Sequence, residues 1–148
     1  MKISTKGRYG LRALVDLAVH SSGECLALSS IAERQNISTN YLEQVFSALR
    51  KAGLVKSIKG AQGGYYLAKE PSDIKVGDVL RVLEGKLSIA ENAEEKIMDQ
   101  KSVQYCLKVM VWDKIEERII ETVDSITLED LVNEYKRRNG MEALMYYI

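Results

Sequence analysis

The side chains able to do acid–base, nucleophilic or metal chemistry are few. They are one histidine, His20, and two cysteines, Cys25 and Cys106. An enzyme needs such groups to converge on a reacting atom, and three scattered residues give no constellation. A lone His at the end of a helical stretch is ordinarily a packed or solvent-facing residue. The chain carries no GxSxG elbow, no GxxxxGK phosphate loop and no HExxH zinc motif. Gly7-Arg8-Tyr9-Gly10 and Gly60-Ala61-Gln62-Gly63-Gly64 are glycine-rich but lack the strand-to-helix spacing of a dinucleotide fingerprint. The expectation is a protein that is not an enzyme and holds no metal. Cys25 and Cys106 are candidate redox thiols, although Glu24 beside Cys25 disfavours a thiolate.

A second group of residues has chemistry of another kind. Ser38-Thr39-Asn40-Tyr41 is followed one turn later by Glu43 and Gln44. Asn and Gln can pair bidentately with adenine, and Glu can accept from cytosine. Short polar residues at a helix start also leave free N–H groups for phosphate. Arg50 and Lys51 further along, and Lys56 and Lys59 beyond them, suit the phosphate backbone. Charge supports the same direction. Residues 1–69 hold ten Lys/Arg against four acids, whereas residues 70–148 hold eleven bases against seventeen acids, so a net charge of zero hides a +6 half and a −6 half. A basic half joined to an acidic half suggests one end built for a polyanion.

Those residues need elements to position them. Leu11, Leu14, Val15 and Ala18 follow helical spacing, with Ser4 or Thr5 as N-cap. Leu28 to Arg34 reads as a short second helix, capped by Ser29 or Ser30, with Ile31 inward. A turn at Asn36-Ile37-Ser38 leads to a third helix from about Asn40 to Ala52, capped by Ser38 or Thr39, whose core stripe is Leu42, Val45, Phe46 and Leu49. After Gly53 the period changes: Leu54 to Lys59 and Tyr65 to Ala68 read as two strands around a flexible Gly tip. Helix, turn, capped helix and basic hairpin make a winged helix-turn-helix. A short helix carrying Val76, Val79, Leu80 and Leu83 follows Pro71, the only proline, and ends at Gly85.

The remainder reads differently. Leu87 to about Lys101 is a charged connector. From Val103 to roughly Val123, Leu107, Val111, Ile115 and Ile119 recur at i+4, widened by Met110, Trp112, Ile120 and Val123. A helix this apolar needs a covering surface, and a second copy of the chain is the economical one. Ser125 to Val132 reads as a short capped helix, with Thr127 as N-cap and Asp130 at N3. The fold class is thus α+β, mainly α: a winged helix-turn-helix domain over 1–85, a connector over 86–102, and a dimerisation helix with a C-terminal segment over 103–148. With 148 residues, 46% hydrophobic and 28% charged, the chain can build one ordinary core. No run approaches the roughly 18 apolar residues of a membrane span, and MKISTKGRYG has no secretory h-region. Two cysteines cannot form a disulfide framework, so a reduced, cytoplasmic setting without membrane attachment is expected.

Three stretches make the sequence recognisable: MKISTKGRYGLRALVDLA, IAERQNIS with NYLEQVFSALRKAGLVKSIKGAQGGYYLAK, and GDVLRVLEG with DSITLEDLV. They resemble the family of bacterial winged-helix transcription regulators that contains the iron–sulfur regulator IscR and the cysteine-metabolism repressor CymR. The resemblance implies a homodimer, paired through its long helix, acting on double-stranded DNA at near-palindromic promoter sites. It carries DNA contacts onto Arg8 and Tyr9 of the first helix, Ser38, Asn40, Tyr41, Glu43, Gln44 and Arg50 of the motif, and Lys59 with Gly60 on the wing. Relatives often have Ser at position 40 and Arg at position 59, so Asn40 and Lys59 are departures that bear on base preference. Cluster-binding members share three cysteines and a nearby histidine before the long helix, whereas residues 87–106 here offer Cys106 alone. No iron–sulfur cofactor is therefore expected. The tail Ala143-Leu144-Met145-Tyr146-Tyr147-Ile148 resembles that of the cysteine repressors, which implies a repressor of cysteine and sulfur metabolism with a cysteine-biosynthesis enzyme as candidate co-regulator. Two alternatives stay open: an iron–sulfur-sensing regulator of cluster-biogenesis genes, and a winged-helix protein-interaction module without specific DNA binding.

Overall fold

The computed structural model describes residues 2–89 and 99–140. Three helices come first: α1 (Thr5–His20), α2 (Leu28–Gln35) and α3 (Thr39–Lys51). An antiparallel hairpin of β1 (Val55–Ile58) and β2 (Gly64–Leu67) follows, in a register that sets Val55 opposite Leu67 and Lys56 opposite Tyr66. Leu26 adds a third short rung: it exchanges two backbone hydrogen bonds of 2.8 Å with Tyr65. A 3-10 turn at Pro71–Asp73 then leads into α4 (Val76–Glu84), which ends at Gly85 with φ of 81°. Together these elements form the expected winged helix. The strands are shorter than the sequence pattern because Leu54, Lys59 and Ala68 lie beyond the paired register.

The third helix starts as its residues dictate. The Ser38 hydroxyl accepts from the Tyr41 N–H at 3.1 Å, the N-cap geometry. Leu42, Val45, Phe46 and Leu49 are all buried on its inner face, and each contributes roughly 1.5–3 kcal/mol by leaving water. The second helix departs from expectation. It is capped by neither Ser29 nor Ser30: Ala27 is its N-cap, and the Ser30 hydroxyl instead donates to the Ala27 carbonyl at 2.8 Å. Burial of Leu28 puts the helix start one residue ahead of the polar pair.

Helix α1 is the central post. Its buried face meets α2, α3, α4 and the last helix, and Gly10 lets Leu83 approach so closely that a side chain there would collide with it, with Val45 in tight contact beside it. Asp16, fully buried on α1, is held by Arg34 (Nη2 to Oδ1 2.6 Å, Nε to Oδ2 3.0 Å) and by Gln35 Nε2 at 2.9 Å. The same hydrogen bonds hold the Arg34 proton more firmly than usual. A buried carboxylate of this kind locks α2 against α1 because removing the exposed Arg34 would strand the Asp16 charge in the core.

Beyond Ser102, which caps the next turn, α5 (Val103–Leu107), a π turn (Lys108–Trp112) and α6 (Asp113–Ser125) run on as one helix, since every junction residue keeps right-handed helical geometry. In the π turn the Asp113 N–H bonds the Lys108 carbonyl five residues back, and the Lys108 ammonium reaches the Asp113 carboxylate at 2.8 Å. Finally α7 (Leu128–Arg138) begins in the capping box expected of Thr127 and Asp130 but runs six residues past Val132. Its Leu128 and Val132 belong to the same core as α1, so the segment after residue 103 divides into a projecting helix and a returning one. Leu87, expected in the connector, is buried against Val76 and Leu80. The rest of the connector over 90–98 and the tail Ala143 to Ile148 lie outside the described residues. No helix among the described residues is long and apolar enough to cross a membrane.

Candidate nucleic-acid interface

The start of α3 is an exposed polar edge. Ser38, Thr39, Asn40, Glu43 and Gln44 all face solvent, while between them Leu42 is buried and Tyr41 half-buried. Ser38 satisfies the Tyr41 N–H and its carbonyl takes the Leu42 N–H, which leaves the Thr39 and Asn40 N–H groups without an intrahelical partner. A helix end of this form offers both base-reading side chains and backbone donors.

Tyr41 joins this edge to the first helix. Its ring meets Tyr9 edge-on at 6.0 Å, and the Arg12 guanidinium lies over the Tyr9 ring at 5.1 Å. Arg12 Nη2 also donates to the Gln35 carbonyl at 2.6 Å. Arg8, one residue before Tyr9, is exposed and reaches only the Thr5 hydroxyl at 3.4 Å. The N-terminus of α1 is itself fixed by Glu84, whose carboxylate accepts from the Ser4 and Gly7 N–H groups at 2.9 and 3.0 Å and from the Ser4 hydroxyl. Tyr9 thus meets the α3 edge through Tyr41, and Arg8 precedes it, exposed, on α1. Arg12 and Glu84 were missed. Arg12 has a local signal, three residues after Tyr9 on the same helical face. Glu84 has none, being 80 residues from Ser4.

On the wing, Lys56 and Ile58 point away from the core on β1, and Lys59 and Gly60 form the turn. Gly60 has φ of 115°, a left-handed conformation that a side chain would strain, and its carbonyl accepts from the Gly63 N–H at 3.0 Å. The hairpin is anchored on α3 by Phe46 and Tyr65, whose rings meet at 5.1 Å. Arg50 and Lys51 are exposed but occupy the last turn of α3, three turns or ~18 Å from Ser38. They belong to the other end of the helix, where they also complement its dipole. Among the described residues, Arg8, Arg50, Lys51, Lys56 and Lys59 form no ion pair.

The remaining candidates lie elsewhere. Leu107, Val111, Ile115 and Ile119 are all on the projecting helix and none is buried; Ile115 and Ile119 line a shallow groove with Val123. Cys25 is half-buried between α1 and α2, its Sγ 3.4 Å from the Gln62 carbonyl at the wing tip, while Cys106 is exposed on α5. The two thiols therefore sit on separate elements. No group of three or more His, Cys, Asp or Glu is placed to hold a metal among the described residues.

Comparison with known proteins agrees with this geometry. The family model described as Rrf2, iron-dependent transcriptional regulator, matches residues 3–134. The chain is 45% identical over 148 residues to the HTH-type transcriptional regulator CymR of Bacillus subtilis, covering the whole of both proteins. The solved structure of CymR, the global cysteine regulator of B. subtilis, superposes with a TM-score of 0.77 at 46% identity over 90% of this chain and 98% of that one. The structure of IscR from T. potens gives 0.73 at 49% identity over 93% and 90%. These relatives are transcriptional regulators, not enzymes.

Proposed function

For a chain that belongs to the Rrf2 family of transcriptional regulators, we propose a homodimer that binds near-palindromic duplex DNA and represses genes of cysteine and sulfur metabolism. The observation that carries the DNA-binding reading is the set of exposed polar side chains at the start of α3 together with the cations Arg8 on α1 and Lys56 and Lys59 on the wing, which form no ion pair among the described residues. Thr39, Asn40, Glu43 and Gln44 read base edges; Arg8, Lys56 and Lys59 contact phosphates. The metabolic assignment rests on similarity to a protein described as a global cysteine regulator. By the same similarity the signal enters through a partner protein, with a cysteine-biosynthesis enzyme as the candidate.

A cluster does not fit the donors available. The whole chain has two cysteines and one histidine, and His20 and Cys25 sit at or just beyond the end of α1 while Cys106 is on the projecting helix. Of the carboxylates near Cys106 in sequence, Glu94 and Glu95 lie outside the described residues; Asp99 caps the turn before α5. A cluster wants four thiolate or imidazole ligands. Cluster-free sensing is therefore part of the proposal. Protein purified without oxygen should be colourless and bind its operator equally after chelation; stoichiometric iron and sulfide, lost in Cys106→Ala, would restore the iron–sulfur alternative. Genomic footprinting with a salt titration tests the rest. Phosphate contacts require affinity to fall steeply with salt, and the absence of any sequence-selective occupancy would favour a protein-interaction module.

A further inference from the structure

Among the described residues, the projecting helix packs on its own domain near its C-terminal end. Arg81 of α4 grips Asp124 in a parallel fork, Nη1 to Oδ1 and Nη2 to Oδ2 both at 2.8 Å. Gly77, one turn before Arg81, lies directly beneath the Asp124 carboxylate, and any side chain there would collide with it. Two backbone bonds flank the fork: the Val76 N–H donates to the Ile126 carbonyl at 2.9 Å and the Leu128 N–H to the Ile74 carbonyl at 2.8 Å. Under them Val76, Leu80 and Leu87 pack against Val123, Ile126 and Leu131. Upstream of this joint no residue of α5, the π turn or α6 is buried.

We infer that the Arg81–Asp124 fork over Gly77 is the joint that sets the angle of the dimerisation helix, and through it the half-site spacing the protein accepts; this rests on the homodimer proposed above. The reason is leverage. The helix from Val103 to Ser125 is ~34 Å long at about 1.5 Å per residue. A swing of roughly 10° at the joint moves the far end by about 6 Å, close to two base-pair steps of ~3.4 Å. A single lysine–carboxylate contact tolerates such a swing, whereas two parallel N–H to oxygen bonds fix direction as well as distance. The absence of a side chain at position 77 lets the fork seat against α4 backbone. Arg81, Asp124 and Gly77 are positioning residues: none faces the reading edge of α3.

The test is a distance between spin labels on Ser29→Cys, an exposed site on α2, in the full chain with Cys25→Ser and Cys106→Ser. With the native joint the two labels of a dimer should give one narrow distance. Asp124→Asn replaces one acceptor by a donor facing a donor, and should shift or broaden that distance by about 3 Å or more, the travel of a ~5° swing on a ~34 Å helix. Arg81→Lys, which keeps the charge and loses the fork, should do the same. Selection from random duplexes should then return several neighbouring half-site spacings in place of one. A narrow, unshifted distance in both variants would overturn the joint and leave the dimer intact. The same broadening in Asp113→Asn, which breaks the Lys108 pair elsewhere on the helix, would overturn it as a general loss of order. No intersubunit distance in any protein would overturn the dimer reading and the joint with it.

Discussion

Two exposed regions of this molecule differ in what their exposure leaves unsatisfied. On α1, at the end of α3 and on the wing, the cations Arg8, Arg50, Lys51, Lys56 and Lys59 face solvent without a counter-ion among the described residues. On the projecting helix the cations are largely neutralised: Lys108 pairs with Asp113 and Arg118 with Glu121. There the unsatisfied surface is apolar, with Val103 76% and Met110 56% exposed and Leu107, Trp112 and Ile115 each above 40%. Unpaired cations gain most from a polyanion and uncovered aliphatic side chains from a like surface. One molecule thus presents two partners' chemistries, kept on separate elements.

The sharpest way to break this comparison is at the apolar surface. Ile115→Lys places an ammonium where the dimer would bury a methyl group, at a cost of several kcal/mol. Sedimentation should show monomers, with dimer association weakened by about a thousandfold or more, and tight operator binding should vanish. An unaltered dimer would mean that the exposed aliphatic stripe is not the interface.

A smaller effect separates reading from attraction within the polar region. Gln44→Ala should lose about 1–3 kcal/mol at the cognate site and relax preference at one base pair. If titrations on cognate and random duplexes fall equally, Gln44 does not read a base. Lys59→Ala should weaken all duplexes alike, and the slope of log affinity against log salt should fall by about one. A sequence-selective loss there would move the wing from phosphate contact to readout.

The smallest expected effect concerns acid. Hydrogen bonding to Arg81 holds the Asp124 carboxyl below its ordinary range, with Arg81 and Lys75 adding favourable charge. A carboxyl more acidic in the folded chain than in the unfolded one stabilises the fold fully above its unfolded pKa, near 4, and loses that contribution as pH falls through the folded value. For a partly exposed pair this is no more than about 1 kcal/mol. Urea unfolding at pH 7 and at pH 3 should therefore show a larger drop for the native protein than for Asp124→Asn. Equal drops would show that the fork contributes direction without stability.

Much of the reading edge was legible because its determinants are local. The Leu42, Val45, Phe46 and Leu49 stripe fixes which residues of α3 must face out, and Ser38 fixes where the helix begins. The wing followed from a change of period and a glycine tip. What was illegible is long-range or backbone-based. Glu84 holds the start of α1 from 80 residues away, and Arg81 finds Asp124 across 43 residues. The cap of α2 was misread because burial of Leu28, not the serines, sets its start. The return of α7 onto α1 was hidden too: Leu128 and Val132 have helical spacing, but spacing does not say which surface receives them.

The π turn carries a consequence for how this helix tolerates insertion and deletion. Five residues over Lys108–Trp112 occupy a ring that an α-helix closes with one fewer, so the helix holds one residue in excess of a regular one. Removing a single residue between Leu107 and Asp113 need not break the helix; it would let the turn relax to ordinary α geometry. Two chains of this architecture differing in length by one residue could therefore share every downstream contact, from Ile115 to the joint at Asp124, and differ only in whether the turn is wide or tight. Lys108 and Asp113 would then stand four residues apart, a spacing at which an α-helix still brings a lysine and a carboxylate together, so the ion pair would survive the deletion that erased the bulge.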